Sequence, residues 1–291
     1  MRSESEIFDL ILSIALPDER VRAVVLGGSR ANPTAVNDIF RDFDMAFYVR
    51  DLQSFLNNHS WIDQFGERVL LQMPNAMDIG DGLLTSHVET FHFAYLMLFK
   101  DGNRIDLTLL DTDRPGHWQS PGSLSKVLLD KDKIFSGLPA PSLADFLIKK
   151  PEQQQFVDCC NEFWWVSTYV AKGLWRNELT YAKEMLELPV RAMFMKMIAW
   201  YIGFEKNFSV SFGKAGSEMK NHLNADIYKR ILSTYPDSKP VNIWNALFEM
   251  TRIFSEMSEK VASRGGFSYK SEEEIQAIRY LQQVFDMWRN Q

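Results

Sequence analysis

The first 140 residues alternate between helical and extended patterns of hydrophobic positions. Apolar residues at helical spacing predict a helix over residues 3–15; they are Ile7, Leu10, Ile11 and Ile14. Four later apolar runs are typical of strands, namely RAVVLGG (22–28), DMAFYV (44–49), HFAYLMLF (92–99) and RIDLTLL (104–110). The last two runs are joined by Lys100-Asp101-Gly102-Asn103, whose Asp-Gly pair is a strong hairpin signal. These patterns predict a mixed α/β unit that contains an antiparallel strand pair.

The pattern changes near residue 140, where Pro139 and Pro141 indicate a connection. Beyond it, strand signals are few and helical spacing dominates. Helices are predicted over residues 152–174, 178–204, 215–234, 240–262 and 272–289. We therefore expect an α/β domain over residues 1–140 and an all-α helical bundle over residues 141–291.

Charge is spread unevenly along this 291-residue chain, whose net charge is −6. Residues 1–150 hold 21 Asp+Glu against 15 Lys+Arg, whereas residues 151–291 hold 17 of each, so the whole acidic excess lies in the first part. An acidic chain without a basic stripe is not expected to bind nucleic acid. It suits a cationic substrate well.

The hydrophobic pattern predicts neither a signal peptide nor a membrane-spanning segment. The start of the chain is acidic and polar, unlike a signal peptide, and no apolar run approaches the roughly 20 residues of a membrane span. Cys159 and Cys160 are adjacent and make no disulfide framework. We expect a cytoplasmic protein with no membrane partner. The five histidines lack zinc-site spacing.

Three aspartates interrupt otherwise apolar strands. Strand side chains alternate between faces, so Asp42 and Asp44 share one face while the apolar residues between and after them take the other. In RIDLTLL, Asp106 shares a face with Arg104 and Thr108. If the two strands are neighbours, three carboxylates converge, and such a group needs a cation between its members. Carboxylate oxygens select Mg²⁺ or Mn²⁺.

The segment Gly27-Gly28-Ser29 adds a candidate phosphate site. Glycines let backbone N–H groups approach a ligand closely, and the serine hydroxyl supplies a further donor. Taken alone, Gly-Gly-Ser is typical of a turn and Asp-x-Asp of a solvated strand edge. Their order and shared facing instead favour phosphoryl or nucleotidyl transfer with a metal ion.

These motifs resemble a known superfamily. GGSR (27–30), DFD (42–44) and RIDLTLL resemble the DNA polymerase beta-type nucleotidyltransferases. Longer segments are similar to the bacterial aminoglycoside 6-adenylyltransferases, which modify streptomycin. These similar segments are RDFDMAFYV, FKDGNRIDLTLL, KVLLDKD, DCCNEFWWVSTYVAKGLWRNE and GKAGSEMKNHL. The resemblance runs from about residue 1 to about residue 285.

The resemblance implies an N-terminal nucleotidyltransferase domain that binds ATP and Mg²⁺, and a helical domain that completes the antibiotic pocket. It implies that Asp42, Asp44 and Asp106 are the catalytic residues and metal ligands, and that Asp106 is a candidate general base. Ser29 matches the phosphate-binding serine. The implied reaction moves AMP from ATP to the 6-hydroxyl of an aminoglycoside and releases pyrophosphate.

A stripe of residues in the helical half is a further candidate site. Asp158, Glu162, Trp165, Tyr169 and Lys172 lie at offsets 0, 4, 7, 11 and 14, which places them on one helix face. The acids and aromatics suit a cationic aminoglycoside, and the lysine suits the ATP phosphates. An ordinary solvated face is the alternative.

Two other cations are candidates for phosphate contact. Lys214 precedes a predicted helix and Arg30 follows the Gly-Ser segment, although each also fits a solvated or bracing role. Two alternatives to the implied function stay open: the same chemistry on another small-molecule or protein hydroxyl, and a non-enzymatic nucleotide sensor or scaffold. The sequence does not predict an oligomeric state.

Overall fold

The computed structural model describes residues 1–77, 91–113, 121–269 and 271–290. The chain divides into two compact units, Met1–Asp145 and Phe146–Gln291. The first is built on a sheet and the second is helical, as the hydrophobic patterns predict.

A six-stranded mixed sheet, counted over the described residues, organises the first unit in the order β3-β4-β5-β2-β1-β6. Its strands are β1 (Val21–Leu26), β2 (Phe43–Val49), β3 (Arg68–Gln72), β4 (His92–Phe99), β5 (Arg104–Asp111) and β6 (Lys126–Asp130). Neighbouring strands in this part of the chain pair antiparallel, except that β2 and β5 pair parallel. The unusual pair is the one that carries the aspartates.

The four predicted strands are confirmed as β1, β2, β4 and β5, and the predicted hairpin is the antiparallel β4–β5 pair. The sequence analysis missed β3 and β6, which lie at the two edges of the sheet. Val69 and Leu70 of β3 are 57% and 64% exposed. An edge strand without a buried face shows no alternation of polar and apolar residues, so hydrophobic patterning does not detect it.

Helix α1 (Glu4–Ala15) packs on the sheet, and the short helices α2 (Gly28–Ala31) and α3 (Leu52–Leu56) complete the first unit's α-helices in its described segments. Ser3 begins α1 with a capping box, in which its side chain and that of Glu6 satisfy each other's backbone N–H groups. Ile7, Ile11 and Ala15 are fully buried. The predicted helix over residues 3–15 is confirmed.

Asp101 ties the hairpin turn to the start of the chain. Its carboxylate accepts hydrogen bonds from the backbone N–H and the Nε of Arg2, at 3.0 and 2.7 Å. Burial acts to raise the pKa of Asp101, but the hydrogen bonds from Arg2 and Asn103 outweigh it and hold the pKa well below its ordinary value.

The second unit has seven α-helices among its described residues. They are α4 (Gln153–Trp175), α5 (Leu179–Met185), α6 (Arg191–Glu205), α7 (Met219–His222), α8 (Ala225–Leu232), α9 (Pro240–Gly265) and α10 (Ser271–Arg289). The predictions over 152–174, 240–262 and 272–289 are confirmed. The prediction over 178–204 corresponds to α5 and α6, which are joined by a π-helical turn, Leu186–Val190, that contains Pro189.

The prediction of one helix over residues 215–234 is wrong. That segment contains a 3₁₀ turn, Lys214–Gly216, followed by the separate helices α7 and α8. Ala215 has a left-handed backbone with φ of 53°, which interrupts the start of the predicted helix. The extended backbone of Leu223 ends α7, and Asn224 begins α8 by accepting a hydrogen bond from the backbone N–H of Ile227.

Aromatic and aliphatic side chains from α4, α6 and α9 form the core of the helical unit. The rings of Phe163 and Phe254 stack with their centroids 3.7 Å apart. Cys159 and Cys160 are buried and free, and burial raises the pKa of the Cys159 thiol to about 12. In the described ranges, no helix combines the length and apolar character that crossing a membrane requires.

Candidate active site

The parallel pairing of β2 with β5 places two of the predicted aspartates side by side. Asp44 is the register partner of Asp106, and Asp42 lies one residue before β2 begins. The apolar faces of both strands are buried, since Phe43 is 1% exposed and Ile105 is fully buried. The two strands are therefore neighbours, which is the condition on which convergence of the carboxylates depends.

The Gly27-Gly28-Ser29 segment approaches this carboxylate face closely. The backbone N–H of Gly27 donates to the carbonyl oxygen of Asp44 at 2.7 Å. Gly28 has φ of +62°, and a Cβ added there would lie 1.9 Å from Oδ2 of Asp44. Glycine is therefore required at position 28 for two reasons: the backbone is left-handed, and there is no room for a Cβ beside Asp44. Ser29 follows in the first turn of α2, half-buried.

Arg30 braces this loop. Its Nε donates to the carbonyl oxygen of Asp42 at 3.1 Å, and its Nη2 donates to the carbonyl oxygen of Arg41 at 2.7 Å. Its Nη1 donates to the carboxylate of Glu4 at 2.6 Å. The guanidinium also lies over the Phe43 ring, 3.7 Å from its centroid. These contacts fit the bracing role; contact with phosphate stays a prediction.

Arg104 lies among the three aspartates. Its Nε and Nη2 donate to the two carboxylate oxygens of Asp106, each at 2.7 Å. Its Nε is also 3.7 Å from Oδ2 of Asp42. The hydrogen bonds with Asp106 raise the pKa of Arg104, against the opposing effect of burial. The negative charges of Asp42 and Asp44 add to this rise.

The sequence analysis gave Arg104 no role, although it placed Arg104 and Asp106 on one strand face. Two opposite charges two positions apart on a strand point the same way, so the spacing itself was the available signal. Arg41, which donates to the carbonyl oxygen of Ser29 at 2.7 Å, was missed entirely. No periodic pattern marks a contact between a loop arginine and a backbone carbonyl.

The donor set suits a hard divalent cation in kind. Three carboxylates supply oxygen ligands, and this face already holds one cation, the guanidinium of Arg104. Even so, over the part of the chain that the structure describes, no three Asp, Glu, His or Cys side chains are gathered as a ready metal site. Both oxygens of Asp106 are engaged by Arg104 instead.

Three of the five residues of the predicted stripe on α4 line two cavities of the helical unit. Asp158 and Glu162 line a cavity of about 600 Å³. Three lysines line the same cavity and outnumber the two acids; they are Lys149, Lys150 and Lys196. Its lining is therefore net cationic, which the acids on the stripe alone did not indicate.

Trp165 lines the second cavity, of about 670 Å³, between α4 and α10. Glu272 and Glu273 line it as well, and none of the described residues that line it is a lysine or an arginine. The indole of Trp165 is 61% exposed, and its N–H donates to the hydroxyl of Tyr169 at 2.8 Å. The ammonium of Lys172 lies 4.3 Å from the centroid of the Tyr169 ring.

Lys214 is exposed at the start of its 3₁₀ turn. Among the first-unit candidates, the structure pairs Asp44 with Asp106 and sets Gly28 against Asp44, and it places the second-unit candidates on a helix face and a loop of the helical unit. The acidic pair on α10 was not predicted, because Glu272 and Glu273 also fit the ordinary enrichment of acids in the first turn of a helix.

Comparison with known proteins gives the class first. Three curated relatives carry the name aminoglycoside 6-adenylyltransferase, and this chain is likewise a nucleotidyltransferase, an enzyme. It belongs to the streptomycin adenylyltransferase family, whose model matches residues 1–284. The resemblance of the motifs is thereby confirmed.

The relatives match over nearly the whole chain. The Bacillus subtilis (strain 168) protein is 39% identical over 93% of both chains. The Campylobacter jejuni protein is 39% identical over 92% of this chain and 91% of its own. A crystal structure of an aminoglycoside 6-adenyltransferase from Bacillus subtilis is 34% identical, covers 98% of this chain and 99% of its own, and superposes with a TM-score of 0.47.

Proposed function

We propose that this enzyme transfers AMP from ATP to the 6-hydroxyl of a streptomycin-type aminoglycoside and releases pyrophosphate. The observation that carries the proposal is the register of β2 and β5, which sets Asp44 opposite Asp106 beside the Gly28 turn. The names of the relatives support the acceptor and the position of its hydroxyl.

The first unit, including the proposed domain over residues 1–140, binds ATP and the metal in this proposal. Asp42, Asp44 and Asp106 hold Mg²⁺, which neutralises charge on the transferred phosphoryl group and on the leaving pyrophosphate. Ser29 and the N–H groups of its turn bind phosphate oxygens. Asp106 is the candidate to take the proton of the attacking hydroxyl. A bond forms between that oxygen and the α-phosphorus, and the bond from the α-phosphorus to pyrophosphate breaks.

The helical unit, including the proposed domain over residues 141–291, binds the acceptor. The acid-lined cavity with Trp165, Glu272 and Glu273 suits a cationic drug, because carboxylates pair with guanidinium and ammonium groups and aromatic faces attract them. Asp158 and Glu162 supply two more carboxylates on the same helix. The lysines beside them suit phosphate oxygens, as do Lys172 and Lys214.

The test is aminoglycoside-dependent turnover. Purified enzyme with ATP, Mg²⁺ and streptomycin is expected to release pyrophosphate and to increase the mass of streptomycin by one adenylyl group. The matched acceptor is a streptomycin derivative blocked at the 6-hydroxyl, which should give neither product. No streptomycin-dependent release, together with release that depends on another added small molecule or protein, would favour that other hydroxyl as the acceptor.

Ligand binding gives a second test that does not depend on turnover. A ligand at 100 times its dissociation constant stabilises the folded state by about 2.7 kcal/mol, so Mg²⁺ with ATP should raise the melting temperature. The rise should disappear when a chelator removes the metal. An unchanged rise in excess chelator contradicts nucleotide binding through the carboxylates. A cytoplasmic location and the absence of a nucleic-acid partner stay predictions.

A further inference from the structure

The three aspartates share one guanidinium. Arg104 contacts both carboxylate oxygens of Asp106 and approaches one of Asp42, and the charge of Asp44 acts on it as well. Arg104 lies two positions before Asp106 on the same strand, so the backbone of β5 itself presents it to this face. The cation that these carboxylates hold is therefore part of the chain.

The geometry of this pair competes directly with a metal. A planar guanidinium that meets both oxygens of a carboxylate is the strong, bidentate kind of ion pair. While Arg104 donates to both oxygens of Asp106, those oxygens have lone pairs directed at nitrogen rather than at a metal. A divalent cation held by Asp106 would also be repelled by the positive charge of Arg104.

The pair is placed where it can open. The side chain of Arg104 is 43% exposed and that of Asp106 is 20% exposed. Solvent is within reach of the guanidinium, so its release does not leave a charge buried without a partner.

We propose that Arg104 is the internal counter-ion of the metal-free enzyme, and that it leaves Asp106 when a divalent cation binds. In this account Arg104 lowers the affinity for metal and offsets part of the negative charge of the three carboxylates while no metal is bound. The inference rests on the metal site of the proposed function. It adds a residue that opposes metal binding to the three that provide it.

The test measures metal binding and stability without turnover. Mn²⁺ replaces Mg²⁺ because its binding can be titrated by electron paramagnetic resonance, with no nucleotide present. Arg104→Gln is expected to bind Mn²⁺ about tenfold more tightly than the wild type, which corresponds to about 1.4 kcal/mol. Its melting temperature without metal should fall, because three carboxylates then repel one another, and saturating Mn²⁺ should restore more stability to it than to the wild type.

The matched control is Arg22→Gln. Arg22, on β1 of the same sheet, also donates to both carboxylate oxygens of an aspartate. That aspartate is Asp132, which is not one of the three proposed metal ligands. Arg22→Gln should change stability without changing the Mn²⁺ dissociation constant. If Arg104→Gln binds Mn²⁺ with an affinity equal to or weaker than that of the wild type, this inference is overturned and the proposed function is not. If neither the wild type nor Arg104→Gln binds Mn²⁺, the metal site of the proposed function fails and the inference fails with it.

Discussion

Replacing Gly28 with alanine is the most direct test of the close approach between the Gly-Ser turn and the carboxylate face. The added Cβ would lie 1.9 Å from Oδ2 of Asp44 and 2.7 Å from its Cγ. Ordinary contacts of this kind begin near 3.4 Å. The carboxylate of Asp44 must therefore move by more than about 1 Å, a misplacement that costs on the order of 100-fold in rate at a catalytic group.

The left-handed backbone at Gly28 adds a second cost, which has to be separated from the first. A non-glycine residue in this conformation costs roughly 1–2 kcal/mol. Gly266 offers the matched control, since its φ is +69° and nothing lies within 4 Å of an added Cβ. Gly28→Ala and Gly266→Ala share the backbone strain, and only the first displaces Asp44.

The assay is streptomycin-dependent pyrophosphate release at saturating ATP, together with thermal unfolding. Gly266→Ala should lower the melting temperature by about 2–8 °C and keep kcat within about twofold of the wild type. Gly28→Ala should lower kcat by about 100-fold or more at a temperature where it stays folded. Retention of more than about a tenth of the wild-type kcat by Gly28→Ala would refute the reasoning, because Asp44 would then tolerate the displacement.

Three further outcomes are expected. Asp44→Asn should lower turnover by orders of magnitude without unfolding the protein, and near-normal turnover removes it from the site. Asp101→Asn should lower the melting temperature at pH 7. The gap to the wild type should begin to narrow as the pH falls below the ordinary pKa of 3.8, and it should close only as the pH falls through the lowered pKa of folded Asp101, where protonation ends the pairing with Arg2. A gap that does not change with pH contradicts this. Trp165→Ala should raise the KM for streptomycin more than the KM for ATP. If the variant and the wild type have the same KM for streptomycin, the indole is an ordinary exposed side chain.

The strands that carry the site were predictable because one face of each is buried. Phe43 and Ile105 alternate with Asp44 and Asp106, and that alternation reports both the strand and the facing of its polar residues. The edge strand β3 lacks a buried face, so the same reasoning had nothing to detect.

The parts that escaped prediction depend on single side chains rather than on periodicity. The break at Asn224 comes from one capping hydrogen bond within a segment of otherwise helical spacing. The spacing of Arg104 and Asp106 indicates a shared strand face, but their direct contact also depends on the conformation of the long arginine side chain, which the spacing does not show. The net cationic cavity next to Glu162 is assembled from three sequence segments, and a linear pattern does not show which segments meet.

The parallel pairing of β2 and β5 has a consequence for the order of folding. Asp44 and Asp106 are 62 positions apart, whereas β4 and β5 are joined by a four-residue turn. The local hairpin closes a short loop and the parallel pair a long one, so the hairpin has the smaller entropic barrier and is expected to form first. The aspartates then meet only when β5 arrives beside β2 with the hairpin already attached. The carboxylates of Asp44 and Asp106 therefore do not repel each other at close range until the hairpin has formed and packs beside β2.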